Sequence, residues 1–170
     1  MKTAPFVLTV VLAAACSDST APTASSLRPS FTNAASNGVI HRVSVGGSDQ
    51  DATLNTDANF SLVAVQKADG SVQGEWSDQF GQGQGGVHVD VNCVFVQGNQ
   101  AWISGIIRSG QAGGVDFTGL PAITRVADLG NSVNDAPDAI SFTFIGVAAP
   151  CTAQPNLPLL AMTGGQVTVN

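Results

Sequence analysis

The chain has 170 residues, of which 44% are hydrophobic, 11% charged and 6% aromatic; this is the scale and apolar content of one folded domain, not of a charge-expanded disordered chain. Six Lys and Arg stand against twelve Asp and Glu, so a nucleic-acid backbone or an anionic lipid headgroup would meet a surface of its own sign, and both are disfavoured as partners. With 19 Gly and only one Glu (Glu75) and two Lys (Lys2, Lys67), the chain is poor in helix formers and is expected to be all-β.

Residues 1–15 combine Lys2, an apolar run of about a dozen residues and small residues, Ala13-Ala14-Ala15, ahead of Cys16, the layout of an export signal and too short for a bilayer span of about 20 residues. The stretch resembles a bacterial lipoprotein cleavage box, in which the cysteine is lipidated and becomes the mature N-terminus. The large aliphatic residue, Leu12, lies one place further back than in the usual box. An ordinary secretory peptide cleaved after Ala15 is the alternative, and it leaves Cys16 free. Residues 16–37 are then a lipidated cysteine and a flexible tether of Ser, Thr, Ala, Pro and Asn, a composition that stays extended and solvated. Residues 38–170 form the β-domain.

Within that domain a first strand is expected over residues 39–45, closing on Gly46-Gly47. Residues 60–66 and 72–80 read as a hairpin across Ala68-Asp69-Gly70, because Asp-Gly supplies the positive φ angles that tight turns need. Next comes the clearest period-two pattern, which puts Val87, Val89, Val91, Cys93 and Phe95 on a core face and His88, Asp90 and Asn92 on the other. Gly98-Asn99 turns the chain into a returning strand with Trp102, Ile103, Ile106 and Ile107. Residues 109–119 read as a glycine-rich loop and residues 122–127 as a strand. Residues 139–146 are expected to form one strand with Ile140, Phe142 and Phe144 aligned. Pro150, Pro155 and Pro158 exclude a central strand in their stretch, which leaves 159–162 and 166–169 to pair across Thr163-Gly164-Gly165. About eight to ten strands in a single antiparallel β-barrel or β-sandwich result.

Cys93 and Cys151 are the two cysteines left after Cys16. In an exported chain an even pair reads as a disulfide, with two buried free thiols as the alternative. His41 and His88 are isolated from any second ligand at metal spacing, and no cofactor is expected. His88 with Asp90 could do acid–base work, although residues i and i+2 of a strand lie about 6.5 Å apart and no Gly-x-Ser-x-Gly elbow or reactive-cysteine signature accompanies them. Asp128, Asn131, Asn134, Asp135 and Asp138 place oxygen ligands in one loop that a hard cation such as calcium could use, but the EF-hand rhythm and its final Glu are missing and turn chemistry explains the same residues. Trp76, Phe80 and Trp102 could floor a sugar or lipid site, or could pack in the core. The Gly81–Gly86 run lacks the Lys and the following helix of a phosphate cradle.

The stretches Asp69-Gly70-Ser71-Val72-Gln73-Gly74-Glu75-Trp76, Val87-His88-Val89-Asp90-Val91-Asn92-Cys93-Val94 and Gly98-Asn99-Gln100-Ala101-Trp102-Ile103-Ser104-Gly105 resemble a family of β-rich exported bacterial lipoproteins. The resemblance implies an all-β domain and transfers no catalytic site. Together these readings predict a lipid-anchored domain of the bacterial cell envelope, attached to the membrane through Cys16 and facing an extracytoplasmic compartment. Its expected role is non-catalytic binding or structure, with a small molecule or an envelope protein as partner. The alternative is a small exported barrel-type enzyme using His88 and Asp90, which would gather them with other polar groups in one concave pocket.

Overall fold

A computed structural model describes residues 38–49, 58–81, 83–130 and 134–170. The signal, Cys16 and the tether lie outside the described residues, as does Asn131. The described chain is all-β. Five long strands, β1 (Val39–Asp49), β2 (Ala58–Lys67), β3 (Val72–Phe80), β4 (Gly85–Gln97) and β5 (Gln100–Ala112), form an antiparallel meander. They are followed by β6 (Val115–Asp116), β7 (Pro121–Ala127), β8 (Ala139–Ile140), β9 (Phe144–Ile145), β10 (Leu160–Ala161) and β11 (Gly164–Val169). One sheet holds them all, in the order β10-β8-β7-β5-β4-β3-β2-β1-β11, with β6 beside β5 and β9 beside β7. The sheet curls into a half-barrel around Val43, Phe60, Leu62, Trp76, Val89, Ile103, Val126 and Val167.

Hairpin chemistry sets the meander. Gly70 takes φ 83° and its N–H bonds the Lys67 carbonyl at 2.9 Å, while Asp69 Oδ1 accepts the Ser71 N–H at 2.9 Å, so this turn is the one that Asp-Gly encodes. At the other end of β1 the strand does not stop at Gly46-Gly47 but runs on to Asp49. The reason is close packing: a Cβ on Gly47 would strike the backbone of Gly164 and Gly165 and the Met162 side chain, and β11 pairs there, Gly47 opposite Gly165. Gly47 is thus a strand residue that lets two backbones meet, rather than part of a terminus.

The C-terminal part departs furthest from expectation. β10 and β11 do not pair with each other; β10 joins β8, and β11 joins β1. Residues 139–146 form two short strands instead of one, because the Ser141 hydroxyl accepts the Arg125 N–H at 2.8 Å and donates to the Phe142 carbonyl at 2.9 Å. This side-chain competition turns the chain out of the ladder. Ile140 is buried, Phe144 half-buried and Phe142 exposed, so the three do not share a face. Residues 109–119 are likewise not all loop, since β5 extends to Ala112 and turns back as β6.

The ends of the sheet are joined by carboxylates rather than by a ladder. Asp138, 7% exposed, accepts the Leu129 N–H at 2.7 Å on Oδ1 and the Val167 N–H at 2.6 Å on Oδ2. Asp128 Oδ2 accepts the Val169 N–H at 3.1 Å. Two acidic residues of the supposed calcium loop therefore cap the free edge of β11, and among the described residues no three His, Cys, Asp or Glu side chains group as metal ligands.

Candidate functional site

His88 and Asp90 lie on the outer face of β4, both exposed, while Val87, Val89 and Val91 between and beside them point into the core, as the period-two pattern requires. Register then brings in residues from the flanking strands. Ser61 stands opposite Ser77, Ser77 opposite His88, and Glu75 opposite Asp90. The Ser61 and Ser77 hydroxyls are hydrogen-bonded at 2.8 Å.

Arg108 reaches this face through an irregularity. The β4–β5 register passes from Val89 opposite Ile107 to His88 opposite Ser109, leaving Arg108 as the extra residue of a β-bulge, a feature that re-aims side chains. Its guanidinium donates to Asp90 Oδ1 at 3.0 Å and reaches Glu75 Oε2 at 3.5 Å. All three side chains are more than half exposed, so solvent screens the pairing and it fixes geometry more than it stabilises the fold. Ser61, Val63, Glu75, Ser77, His88 and Arg108 border a hollow of about 390 Å³. It adjoins a second one, of about 430 Å³, through Ser61 and Ser77.

Trp76 adjoins the first of these hollows and Phe80 a neighbouring one that also borders His88, but the tryptophan is too buried to offer a stacking face. Trp76 is 1% exposed and packs in the barrel core, with Phe80 against that core. Trp102 faces outward, yet it is 5% exposed because residues 146–159 cover it: its indole N–H donates to the Pro155 carbonyl at 3.0 Å, and the Arg125 guanidinium lies 5.0 Å from its ring centre. That covering segment is tied down by a disulfide between Cys93 and Cys151, with Cα atoms 5.9 Å apart. Cys93 is not on the core face, as the alternation implied. The register skips Asn92, pairing Val91 with Gly105 and Cys93 with Ser104, and this second bulge turns Cys93 outward and Val94 inward.

A buried carboxyl sits inside the barrel, on β3. Asp78 is 4% exposed, and burial raises its pKa above the ordinary 3.8, opposed in part by hydrogen bonds from the Thr143 hydroxyl and N–H. Trp76 Nε1 donates to the same Thr143 hydroxyl oxygen at 3.2 Å, so Thr143 links the indole to the carboxyl and holds the β8–β9 connection against β3. The folded chain keeps this proton to higher pH than the unfolded chain does. Ionisation of Asp78 therefore costs stability as pH rises from the unfolded value through the folded one. Asp78→Asn keeps an acceptor for Thr143 and removes the ionisation; relative to wild type it is expected to be more stable at pH 7 than at pH 3 in chemical denaturation. A wild-type-minus-variant difference that does not change with pH would show that the carboxyl does not ionise under burial.

Comparison with protein-family models, with curated proteins and with solved structures finds no match. The outer-face group of Ser61, Ser77, His88, Glu75, Asp90 and Arg108 is therefore defined by this chain's own geometry.

Proposed function

We propose that the chain is a lipid-anchored cell-envelope domain that binds or scaffolds without catalysis. The observation that carries the non-catalytic part is the setting of His88 and Asp90. They stand exposed on the outer face of a curved sheet, and Asp90 is engaged by Arg108, whereas acid–base catalysis needs a reacting group held within hydrogen-bond reach and away from bulk water. A half-barrel with a filled core offers its surface, not its interior, to a partner. The Cys93–Cys151 bond is consistent with an oxidising compartment. The anchored part rests on the sequence of residues 1–16.

The anchor predicts a clear partition. The chain expressed in a bacterial host should enter the detergent phase of Triton X-114, and its intact mass should carry a diacylglycerol on Cys16; Cys16→Ser should move it to the aqueous phase. A variant that stays in detergent, or an intact mass without lipid, would overturn the anchor.

A further inference from the structure

We infer that the outer-face hollow between β2 and β5 is a binding site for a neutral oligosaccharide chain, an inference that rests on the binding-domain reading above and gives it a ligand class. Three features of the hollow select that class. The first is charge. Two carboxylates, Glu75 and Asp90, enclose one guanidinium, Arg108; an anion would face two like charges to reach one opposite, and a metal ion would have to expel the guanidinium.

The second feature is the supply of donors and acceptors. The contacts within this triad use one oxygen of each carboxylate and two nitrogens of the guanidinium, whereas a carboxylate offers two oxygens and a guanidinium five N–H donors. Hydroxyl groups can take up both kinds without breaking the triad, because each O–H donates and accepts. Ser61 and Ser77 add hydroxyls at the floor, His88 an imidazole at one side, and the adjoining hollow contributes the Asn59 and Gln79 side chains. The third feature is shape and surface. Val63, 47% exposed, offers a small apolar patch among these polar groups, matching the C–H face of a sugar ring. The two hollows together run from Gly46 on β1 to His88 on β4, three strand spacings or roughly 14 Å, which is longer than one ring. Arg108 is held by contacts on two neighbouring strands, so little ordering is required of it on binding.

The test is calorimetric titration of the full-length chain in zwitterionic detergent micelles with cellohexaose and with chitohexaose. Polygalacturonate serves as an anionic control and a Lys-rich peptide as a cationic one. Saturable binding of a neutral hexasaccharide is expected, with little response to polygalacturonate. Arg108→Ala and Glu75→Gln should each weaken it about tenfold or more, the loss of a charge-assisted contact, while leaving the unfolding midpoint nearly unchanged because both side chains are exposed. Binding that survives both substitutions would overturn this hollow as the site and leave the binding-domain reading standing. No heat with either hexasaccharide at millimolar concentration would overturn the ligand class. Binding of the Lys-rich peptide alone would do the same, in favour of a cationic protein partner.

Discussion

Asp138→Ala is expected to destabilise the domain by about 3 kcal/mol, through the loss of two charge-assisted hydrogen bonds worth roughly 1.5–3 kcal/mol each when well formed. The carboxylate spans the seam: Oδ1 takes the Leu129 N–H at 2.7 Å, and Oδ2 takes the Val167 N–H at 2.6 Å. Val167 is fully buried, so water does not readily replace the lost acceptor, and an unsatisfied buried amide costs about 1–3 kcal/mol. Asp138→Asn should not restore stability, because its amide nitrogen would face one of the two backbone donors. Asp128→Ala should cost less, about 1 kcal/mol, since it gives up one longer bond, to the Val169 N–H at 3.1 Å. Urea unfolding measures all three. An Asp138→Ala loss below about 1 kcal/mol would mean that the edge of β11 is held by packing alone.

That seam was legible in the sequence only as a polar loop. Asp128 and Asp138 carry no local mark that separates an edge-capping carboxylate from a turn former: Asp138 does take the nearby Leu129 N–H, as a turn former would, but the β11 N–H groups that the two carboxylates cap, on Val167 and Val169, lie far along the chain. The Thr163-Gly164-Gly165 signal misled for a related reason. It resembles a hairpin turn, yet Gly165 is needed where β11 pairs closely against the backbone of β1, a partner more than a hundred residues earlier. The meander was readable where turn chemistry and period two agree, as in β2 to β4. It failed at Asn92, since Cys93-Val94-Phe95-Val96 is apolar throughout and only the register against β5 decides which of them face inward.

The candidate site divides in the same way. His88 and Asp90 were visible as one strand face. Ser61 and Ser77 were not singled out, although counting outward from Ala68-Asp69-Gly70 with a fixed hairpin register places them opposite each other, as observed. Glu75 could be reached by the same counting across β3 and β4. Arg108 could not, because it arrives through a bulge, and no alternation in β5 announces an extra residue.

Removing the Cys93–Cys151 bond is the other substitution expected to have a large effect: Cys93→Ala should lower stability by about 2–5 kcal/mol under oxidising conditions. The half-cystines are 58 positions apart, and in the chain-entropy model a loop of that size stabilises by about 4 kcal/mol by restricting the unfolded ensemble. The folded side of the balance matters as well. Residues 146–159 form no long ladder, and their attachment to the outer face relies on this bond, on the short helix Cys151–Ala153, and on two side chains that reach their carbonyls. Trp102 donates to Pro155 at 3.0 Å and Arg125 to Leu157 at 3.0 Å. With Cys151 fully buried and Trp102 5% exposed beneath the segment, loosening it would admit water to an indole and an aliphatic patch that the fold otherwise keeps dry. Reduction should therefore lower the melting temperature of the wild type and leave Cys93→Ala nearly unmoved, and both reduced protein and variant should show red-shifted, more quenchable tryptophan emission. Two thiols that alkylate in the native, non-reduced protein would refute the bond. A variant that loses stability without a change in tryptophan exposure would assign the whole effect to the unfolded chain.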